Sequence, residues 1–406
     1  MEKKSKEDIK DTSQYAKLGV DSGKKNVRKI FKRIINNEYP DAFVNIMTAP
    51  YTNAKIVLTQ HSDGDGSKFI QRLLQYFQTG DGKQIGYALD DALAMNTSDV
   101  AAAGFTKGPW ILTQILNVGL PNDLKETIMI SLAQRWPKLR KIYNRYGFNE
   151  ISFLGGETAD LFDQVRSAVF DMTITAYANR EHIIKGNVQP GDGIWGFASD
   201  GRAVWETEEN SGIMANGLTL ARSSLIWKGY NKIYPTLRRS GKYYKGRFSC
   251  VEESKMLPGM TVSKALLSPT RQWPIVIRKI MELLIRENAL ELLHGISINT
   301  GGGATKIKHL GHGLIYVKNM PWPAPIFQLI QQESKEKWEN MFKTFNCGVG
   351  IDIIGKNDSA VLKPILEAVA QEYRIKLYKL GACHKNPASV KDNLVILKTP
   401  YGEFQY

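Results

Sequence analysis

The residues most suited to chemistry lie in a glycine- and acid-rich cluster from His61 to Lys68, which follows an apolar run. Glycine lets backbone N–H groups approach phosphate oxygens, and a lysine adds a positive charge. Acidic side chains beside a phosphate need an intervening cation, so the cluster predicts Mg²⁺. The alternative is an acidic surface turn. The candidate phosphate and cation ligands are Asp63, Gly64, Asp65, Gly66, Ser67 and Lys68.

A second acidic pair, Asp91 and Asp99, lies eight residues apart in an Ala- and Leu-rich segment of helical pattern, Asp90 to Ala103. Eight residues are a little over two helical turns, so both carboxylates are predicted on nearly one face. Acids close to a core are costly without a cation. The pair is therefore a candidate for metal binding, with solvated surface acids as the alternative.

Further glycine-rich segments follow along the chain. The stretch Leu154 to Asp160 predicts a strand-to-helix turn that holds Glu157 at the helix start, although a purely structural turn explains it equally well. In the second half, glycine runs ahead of helices are candidate anion sites. Arg271 has the side chain for a bidentate phosphate clamp. The other candidate ligands there are Asn216, Thr300, Gly301, Gly302 and Gly303.

Two domains are expected to position these residues. Ala168 to Tyr177 alternates apolar and polar residues and predicts a strand. The turn-rich stretch Lys185 to Gly193 is the best boundary, and Gly193 to Ala198 predicts the first strand beyond it. The segments predicted to be helical in the second half are Leu218–Trp227, Ile275–Asn288 and Leu362–Tyr373. The sequence predicts an α/β or α+β protein with a flexible segment 1–14 and domains at 15–184 and 185–406.

The net charge of +14 is spread along 406 residues, except in the segment from Lys228 to Arg247, which has seven basic residues, four tyrosines and no acid. Aromatic residues among basic ones can stack on bases. Because no nucleic-acid-binding motif accompanies them, we favour a surface insertion or substrate-facing loop and expect no nucleic-acid partner. No run suits a membrane helix or a secretion signal, and the three cysteines are far apart. These features predict a cytoplasmic protein.

Together and in order, the motifs resemble the successive signatures of the aminoimidazole ribonucleotide (AIR) synthase family, the phosphoribosylformylglycinamidine cyclo-ligases. The resemblance runs from about residue 14 to the C-terminus and is greatest to a divergent long-chain branch. The matching segments are Tyr15 to Asp21, Asp63 to Lys68, Asp91 to Asp99, Gly155 to Asp160, Ser211 to Gly217, Leu267 to Arg271, Thr300 to Gly303 and Phe345 to Gly350.

The resemblance implies a homodimer whose N-terminal domains pair their sheets into a shared barrel, with a C-terminal α/β domain that completes each active site. It implies ATP-dependent closure of formylglycinamidine ribonucleotide to AIR, with ADP and phosphate released. It places Mg²⁺ on Asp63, Asp91 and Asp99, and the ribose phosphate beside Asn216 and the Thr300–Gly303 run. The residues with implied catalytic roles are Lys68, Asp99 and Glu157. We expect loss of Lys68, as a phosphate ligand, to lower turnover without affecting folding.

Two histidines common in the family are replaced here by Met214 and Ile298. The alternatives are a sister ATP-dependent enzyme, such as a thiamine-phosphate kinase, selenophosphate synthetase or hydrogenase maturation protein, and a non-catalytic relative. Selenophosphate synthetases usually carry a reactive Cys or selenocysteine near the N-terminus, where this chain has none. Retention of the acidic residues and Lys68 favours an enzyme over a binding protein.

Overall fold

The computed structural model describes residues 13–18, 34–234, 237 and 243–406. Most of the predicted flexible segment 1–14, the N-terminal motif beyond Leu18 and part of the basic segment lie outside these ranges. Within them, no helix is both long enough and apolar enough to cross a membrane.

Runs of helices and runs of strands follow one another along the chain. The helices are α1 Gln14–Lys17, α2 Lys68–Thr79, α3 Lys83–Gly86, α4 Ala88–Ala101, α5 Asn122–Arg145, α6 Leu218–Leu225, α7 Tyr230–Ile233, α8 Val262–Leu266, α9 Trp273–Arg286, α10 Pro325–Ser334, α11 Trp338–Thr344 and α12 Leu362–Tyr373. The strands are β1 Met47–Thr48, β2 Ile56–Gly64, β3 Trp110–Val118, β4 Ile151–Asp160, β5 Ala168–Asn179, β6 Gly193–Ala198, β7 Asp200–Gly201, β8 Asn210–Ser211, β9 Leu293–Ile298, β10 Leu314–Asn319, β11 Val349–Gly355, β12 Leu377–Lys385, β13 Leu394–Thr399 and β14 Gly402–Gln405.

The first half forms a five-stranded sheet in the order β1-β2-β5-β3-β4. All neighbours are antiparallel except β3 and β4, which are parallel and are connected by α5. On β5, Phe170, Met172, Ile174 and Ala176 are buried on one face, because residues two apart point to the same side of a strand. Helix α4 packs along β2 and β5 and is buried along its whole length.

The second half forms a seven-stranded sheet in the order β14-β13-β10-β12-β6-β11-β9. Strands β6 and β11 lie side by side within it, with β11 next to the edge strand β9, and every residue of both is buried. Such continuous apolar runs are typical of strands covered on both faces. Helix α9 packs against α4 and α12, and so joins the two halves of the molecule.

Several predicted elements are confirmed. Strands β5 and β6 and helices α6, α9 and α12 form where the sequence predicts them, and the mixed α/β class holds. The first sheet uses strands between residues 47 and 179, and the larger sheet uses strands between 193 and 405. The division into domains at residue 184 stays a prediction.

The predicted strand-to-helix turn at Leu154–Asp160 is wrong, because these residues complete strand β4. Gly155 has a φ of 85°, which favours glycine. A Cβ at Gly156 would lie 1.9 Å from the carbonyl oxygen of Gln114 on β3. The two glycines therefore allow an irregular, close pairing of β4 with β3, whose register shifts between Leu112 and Gln114.

Candidate active site

Helix α4 carries both acids of the predicted metal pair. Eight residues advance about 800° around a helix, which leaves Asp91 and Asp99 roughly 80° apart. Because α4 is surrounded by protein, that angle directs the two carboxylates to different partners. Asp91 contacts Lys68, Arg72 and Thr270, whereas Asp99 lies beside His61 and Lys306.

Asp91 belongs to a fully buried network of charges. Lys68 Nζ donates to Asp91 Oδ1 at 3.0 Å and to the Ser268 carbonyl at 2.6 Å. The Thr270 backbone N–H donates to the same Asp91 oxygen at 2.8 Å, and Arg72 donates to the other. Two basic side chains and a backbone donor thus satisfy this carboxylate. Attraction to Lys68 and Arg72 keeps the pKa of Asp91 below its usual value, although burial opposes this.

Asp65 is the second acid of the same network. Arg72 binds its carboxylate through Nε and Nη2, both at 3.0 Å. Burial raises the pKa of Asp65 to about 6, against the attraction of Arg72. Burial also lowers the pKa of Lys68, and Asp91 opposes that shift.

These contacts correct three sequence predictions. The side chains of Asp65, Lys68 and Asp91 are fully buried and have partners within the protein. Lys68 therefore joins α2 to the Ser268–Thr270 segment of the second half and does not face a phosphate in this structure. Asp91 is likewise not placed with Asp99 as a ligand of one cation.

Asp99 is the acid whose bonding capacity is not satisfied. Asp99 is only 6% exposed, and its Oδ1 atom has no hydrogen-bond partner among the described residues. His61 Nε2 lies 3.5 Å and Lys306 Nζ 4.0 Å from the other oxygen, Oδ2. Burial raises the pKa of Asp99, the charges of Lys306 and His61 lower it, and Asp63 raises it. The carboxylate of Asp63 is therefore close enough to Asp99 for its charge to act on it.

Sequence reasoning missed three neighbours of this acidic group. His61 lies two residues before Asp63 on β2, and Lys306 follows the Thr300–Gly303 run. Asp171 on β5 lies against Gly64, where an added Cβ would sit 1.9 Å from its Oδ1 atom. Burial and Asp63 both raise the pKa of Asp171. The only available signal for Asp171 was an acid on the polar side of an alternating strand.

Within the described ranges, no group of three or more His, Cys, Asp or Glu side chains is arranged to hold a metal ion. Asp63, Asp91 and Asp99 therefore do not form the predicted three-ligand site. A buried carboxylate oxygen without a partner, close to a second carboxylate, nevertheless fits a divalent cation. Mg²⁺ commonly takes only one or two carboxylates and completes its shell with water and substrate phosphates. The residues Asp63 and Asp99 fit that pattern.

The Thr300–Gly303 run of the second half lies on the Lys306 side of Asp99. Lys306 Nζ donates to Thr300 Oγ1 at 3.1 Å and thereby connects the run to Asp99. No atom lies within 4 Å of an added Cβ at Gly301, so this backbone borders open space. At Gly303 the Cβ would lie 2.4 Å from the carbonyl oxygen of Phe345, which only glycine permits. The run is therefore packed against the protein at Gly303 and open at Gly301, as an anion-binding loop requires.

No protein-family model matches the chain. A curated phosphoribosylformylglycinamidine cyclo-ligase from Methanocaldococcus jannaschii is 30% identical over 329 residues, which cover 80% of this chain and 77% of that protein. The chain belongs to the phosphoribosylformylglycinamidine cyclo-ligase family. A second cyclo-ligase, from Saccharolobus solfataricus, is 26% identical over 397 residues and covers 97% of this chain and 98% of that protein. The match thus extends over both sheets.

Solved structures support the fold. A chain of the HypE–HypF complex matches with a TM-score of 0.51 and 14% identity, covering 94% of this chain and 98% of that one. Thiamine-monophosphate kinase from Stenotrophomonas maltophilia matches with a TM-score of 0.50 and 13% identity, covering 93% and 96%. At these identities the likeness establishes the fold alone, which is the one that the sequence motifs predicted.

Asn216 and the first glycine loop come together in this cyclo-ligase family member. Gly66 has a φ of 57°, and a Cβ added there would lie 3.7 Å from the Ala215 carbonyl oxygen. Ser67 Oγ lies 3.2 Å from Thr219 Oγ1, and Asn216 Nδ2 donates to the Thr344 carbonyl at 2.6 Å. The structure therefore places Asn216 beside the Gly66 loop. Its role as a substrate ligand stays a prediction.

Arg271, predicted to clamp phosphate, is committed to the protein. Its Nε and Nη2 bind Glu206 at 3.0 and 2.8 Å. The remaining N–H groups donate to the carbonyls of Ala198, Asp200 and Gly201. A guanidinium has five N–H donors, and all five are occupied here. Arg271 thus holds the β6–β7 connection and has no donor left for a phosphate.

Glu157 lies apart from the acidic group. It is exposed on the edge strand β4, and its Oε1 accepts from the neighbouring Thr158 N–H at 2.8 Å. Strands β5 and β3 separate β4 from β2, which carries Asp63. Within this chain, Glu157 is therefore not brought to Asp99, and its catalytic role stays a prediction.

Three tyrosines of the basic segment and the residues at the two histidine positions are buried. Tyr230, Tyr243 and Tyr244 lie in the core and are not available to stack on bases. Met214 and Ile298 are also buried, so apolar packing occupies both positions where relatives commonly carry histidine.

Proposed function

We propose that this protein catalyses the ATP-dependent closure of formylglycinamidine ribonucleotide to AIR. The observation that carries the proposal is the approach of Asp99, from helix α4 of the first half, to Lys306 and Thr300 of the second half. An available acid and an open glycine loop thereby face one site from two sides. Similarity to curated cyclo-ligases across both halves supports this reaction over others of the same fold.

In this proposal Asp99 binds the divalent cation that accompanies ATP, and the nearby charge of Asp63 adds to the attraction. When bound, that cation neutralises phosphate charge during phosphoryl transfer to the formyl oxygen. Lys306 and the Thr300–Gly303 backbone bind an anionic group of the nucleotide or substrate. The buried Lys68–Asp91 pair acts indirectly, because it fixes α2, and with it the Gly64–Ser67 loop, against the second half.

We further propose that the protein acts as a homodimer joined through the first sheet. The edge strand β4 exposes Leu154 and its neighbour β3 exposes Ile115, whereas Phe153 of β4 packs against Trp136 of α5. Exposed apolar side chains grouped on a sheet suit a protein–protein contact. In such a dimer Glu157 would also be close to the partner subunit, which is the remaining route to a role at the site.

The test is a turnover assay with purified protein, formylglycinamidine ribonucleotide, ATP and Mg²⁺, in which AIR and ADP are both quantified. We expect the two products in equal amounts. Thiamine monophosphate in place of the nucleotide substrate tests the kinase alternative, and the Asp99→Asn variant controls for contaminating activity. ADP formation only with thiamine monophosphate, or no product from either substrate, would overturn the proposal.

A further inference from the structure

His61 stands next to Asp99 in an orientation that the surrounding protein fixes. Its Nδ1 atom lies 3.1 Å from Oδ1 of Asn96. The amide nitrogen of Asn96 faces three carbonyl oxygens, those of Asp63 and Ala92 at 2.9 Å and of Met172 at 3.1 Å. Since carbonyl oxygens only accept hydrogen bonds, the amide nitrogen must lie on their side. The amide oxygen of Asn96 therefore points at His61.

This arrangement determines the tautomer of His61. An amide oxygen cannot donate, so Nδ1 carries the proton, and Nε2 of a neutral imidazole keeps a free lone pair. Nε2 lies 3.5 Å from Asp99 Oδ2. That distance is longer than the roughly 2.7–2.9 Å of a charge-assisted hydrogen bond. In its neutral form the imidazole therefore directs the Nε2 lone pair at Asp99 Oδ2 across this gap.

A cation placed between His61 Nε2 and Asp99 Oδ2 would be bound by both atoms. Adjacent ligand atoms each about 2.1 Å from one ion are separated by about 3.0 Å in an octahedral site and by about 3.4 Å in a tetrahedral one. The observed separation of 3.5 Å is close to this range, so a small side-chain adjustment lets one ion contact both atoms. Independently, Asp99 Oδ1 is buried without a partner among the described residues, so this carboxylate has bonding capacity to spare. The His61 side chain is 23% exposed, which leaves a way in for an ion.

We propose that His61 Nε2 is a ligand of the same divalent cation as Asp99, and that the site therefore prefers Mn²⁺ or Co²⁺ to Mg²⁺. Imidazole nitrogen is a good ligand for first-row transition metals, whereas Mg²⁺ selects oxygen ligands. The inference deepens the proposed function, because it rests on Asp99 as a cation ligand and adds the chemical class of the ion. Asn96 is the residue that orients the imidazole, as hydrogen-bonded neighbours of metal-binding histidines commonly do.

The competing arrangement has Lys306 as the permanent neutralising partner of Asp99. Lys306 Nζ lies 4.0 Å from Asp99 Oδ2, and it also donates to Thr300 Oγ1. In that arrangement a protonated His61 and Lys306 share one carboxylate, and no ion binds without nucleotide. The two arrangements differ in what the nucleotide-free protein does with metal alone.

The experiment is a titration of nucleotide-free protein with Mn²⁺, followed by the electron paramagnetic resonance signal of the free ion, and repeated in competition with Mg²⁺ and Co²⁺. We expect one tight site per chain, with Mn²⁺ bound at least about tenfold more tightly than Mg²⁺ and Co²⁺ more tightly than Mn²⁺. His61→Ala should weaken Mn²⁺ binding by about 10–100-fold and leave Mg²⁺ binding nearly unchanged. His384→Ala, at an exposed histidine of β12, is the matched control and should bind like the wild type.

Thermal melting of His61→Ala checks that the variant is folded. Equal affinities for Mn²⁺ and Mg²⁺ in the wild type, or an unchanged Mn²⁺ preference in His61→Ala, would overturn the inference, as would no binding in the absence of nucleotide. The turnover assay separates this from the proposed function. If Mn²⁺ preference depends on His61 but no ring closure is detected, the metal site is supported and the proposed function is wrong. If ring closure is detected but Mn²⁺ is not preferred, the function is supported and the metal site is wrong.

Discussion

The carboxylates of Asp91 and Asp99 project from the same helix, α4, but have different partners. Asp91 accepts hydrogen bonds from Lys68 and Thr270 deep in the protein, whereas Asp99 keeps one buried oxygen without a partner in the described part of the chain. The first acid is therefore suited to holding the two halves together, and the second to binding a ligand. This difference leads to opposite expectations for substitutions eight residues apart.

Asp99→Asn should reduce kcat by at least about 100-fold, because it removes the negative charge that a cation at the site requires. Stability should be unchanged or slightly higher. Burial raises the pKa of Asp99, so its ionised form is unfavourable in the folded protein. Steady-state turnover and urea unfolding at pH 7 measure the two effects. A variant with near wild-type kcat would remove Asp99 from the site.

Asp91→Asn is the matched control on the same helix. It leaves the buried Lys68 and Arg72 without their shared carboxylate, so we expect a loss of about 3–5 kcal/mol in the free energy of unfolding. Asp91→Asn is thus predicted to be less stable than Asp99→Asn, although Asp99 is the residue proposed to bind the cation. Equal destabilisation by both substitutions would contradict it.

Lys68→Met should destabilise the protein by about 3 kcal/mol or more, because it removes one partner of a fully buried ion pair while retaining most of the side-chain volume. This differs from the expectation for an exposed phosphate ligand, whose loss would spare folding. Urea unfolding followed by tryptophan fluorescence measures the change.

Lys83→Met is the control for a surface lysine. Lys83 pairs with Glu208, and both side chains are substantially exposed, so the pair contributes at most about 1 kcal/mol. If Lys68→Met unfolds like the wild type while turnover falls, Lys68 acts on the substrate in a conformation different from this one.

The sequence was sufficient for elements whose pattern has one interpretation. Period-two alternation specified β5, and the apolar run from Gly193 to Ala198 specified β6. The pattern failed at Leu154–Asp160, where paired glycines are equally consistent with a turn and with the irregular strand that β4 forms against Gln114. A local pattern does not reveal which neighbouring backbone comes close.

The motifs were sufficient to propose a candidate site but not to assign roles to its residues. The cluster from Asp63 to Lys68 contributes to that candidate site, yet its lysine binds Ser268 and Asp91, both distant in sequence. Arg271 has a phosphate-binding side chain that is instead saturated by Glu206 and three carbonyls. Because these roles depend on tertiary partners, residue type and spacing alone assigned ligands where the fold uses structural ion pairs.

Leu154→Asp should weaken self-association by at least about tenfold, which corresponds to about 1.4 kcal/mol. Leu154 is 68% exposed on the edge strand β4, and an aspartate there would lose hydration in the contact without gaining a charged partner. Light scattering and sedimentation at micromolar concentrations measure the mass. Val390→Asp, at a side chain that is 81% exposed beyond β12, should leave the mass unchanged. A wild type that is monomeric under these conditions would exclude the proposed dimer.

Asp352 gives a prediction for the dependence of stability on pH. It lies fully buried on the inner strand β11, where Lys318 Nζ donates to its Oδ2 at 2.6 Å and to the Ala304 carbonyl at 2.9 Å. Burial raises the pKa of Asp352 above its ordinary value of 3.8, although Lys318 opposes the rise. Above about pH 4 the unfolded chain has therefore released a proton that the folded protein still holds.

Since the folded state binds more protons in this window, the contribution of Asp352 to stability is fully present below pH 4 and declines as the pH rises through its folded pKa. Comparison of the wild type with Asp352→Asn by urea unfolding from pH 4 to 7 isolates this contribution from those of other acids. The wild-type free energy of unfolding, relative to that of the variant, should fall with increasing pH and then level off. A relative stability that grows with pH would mean that Lys318 outweighs burial and lowers the pKa of Asp352.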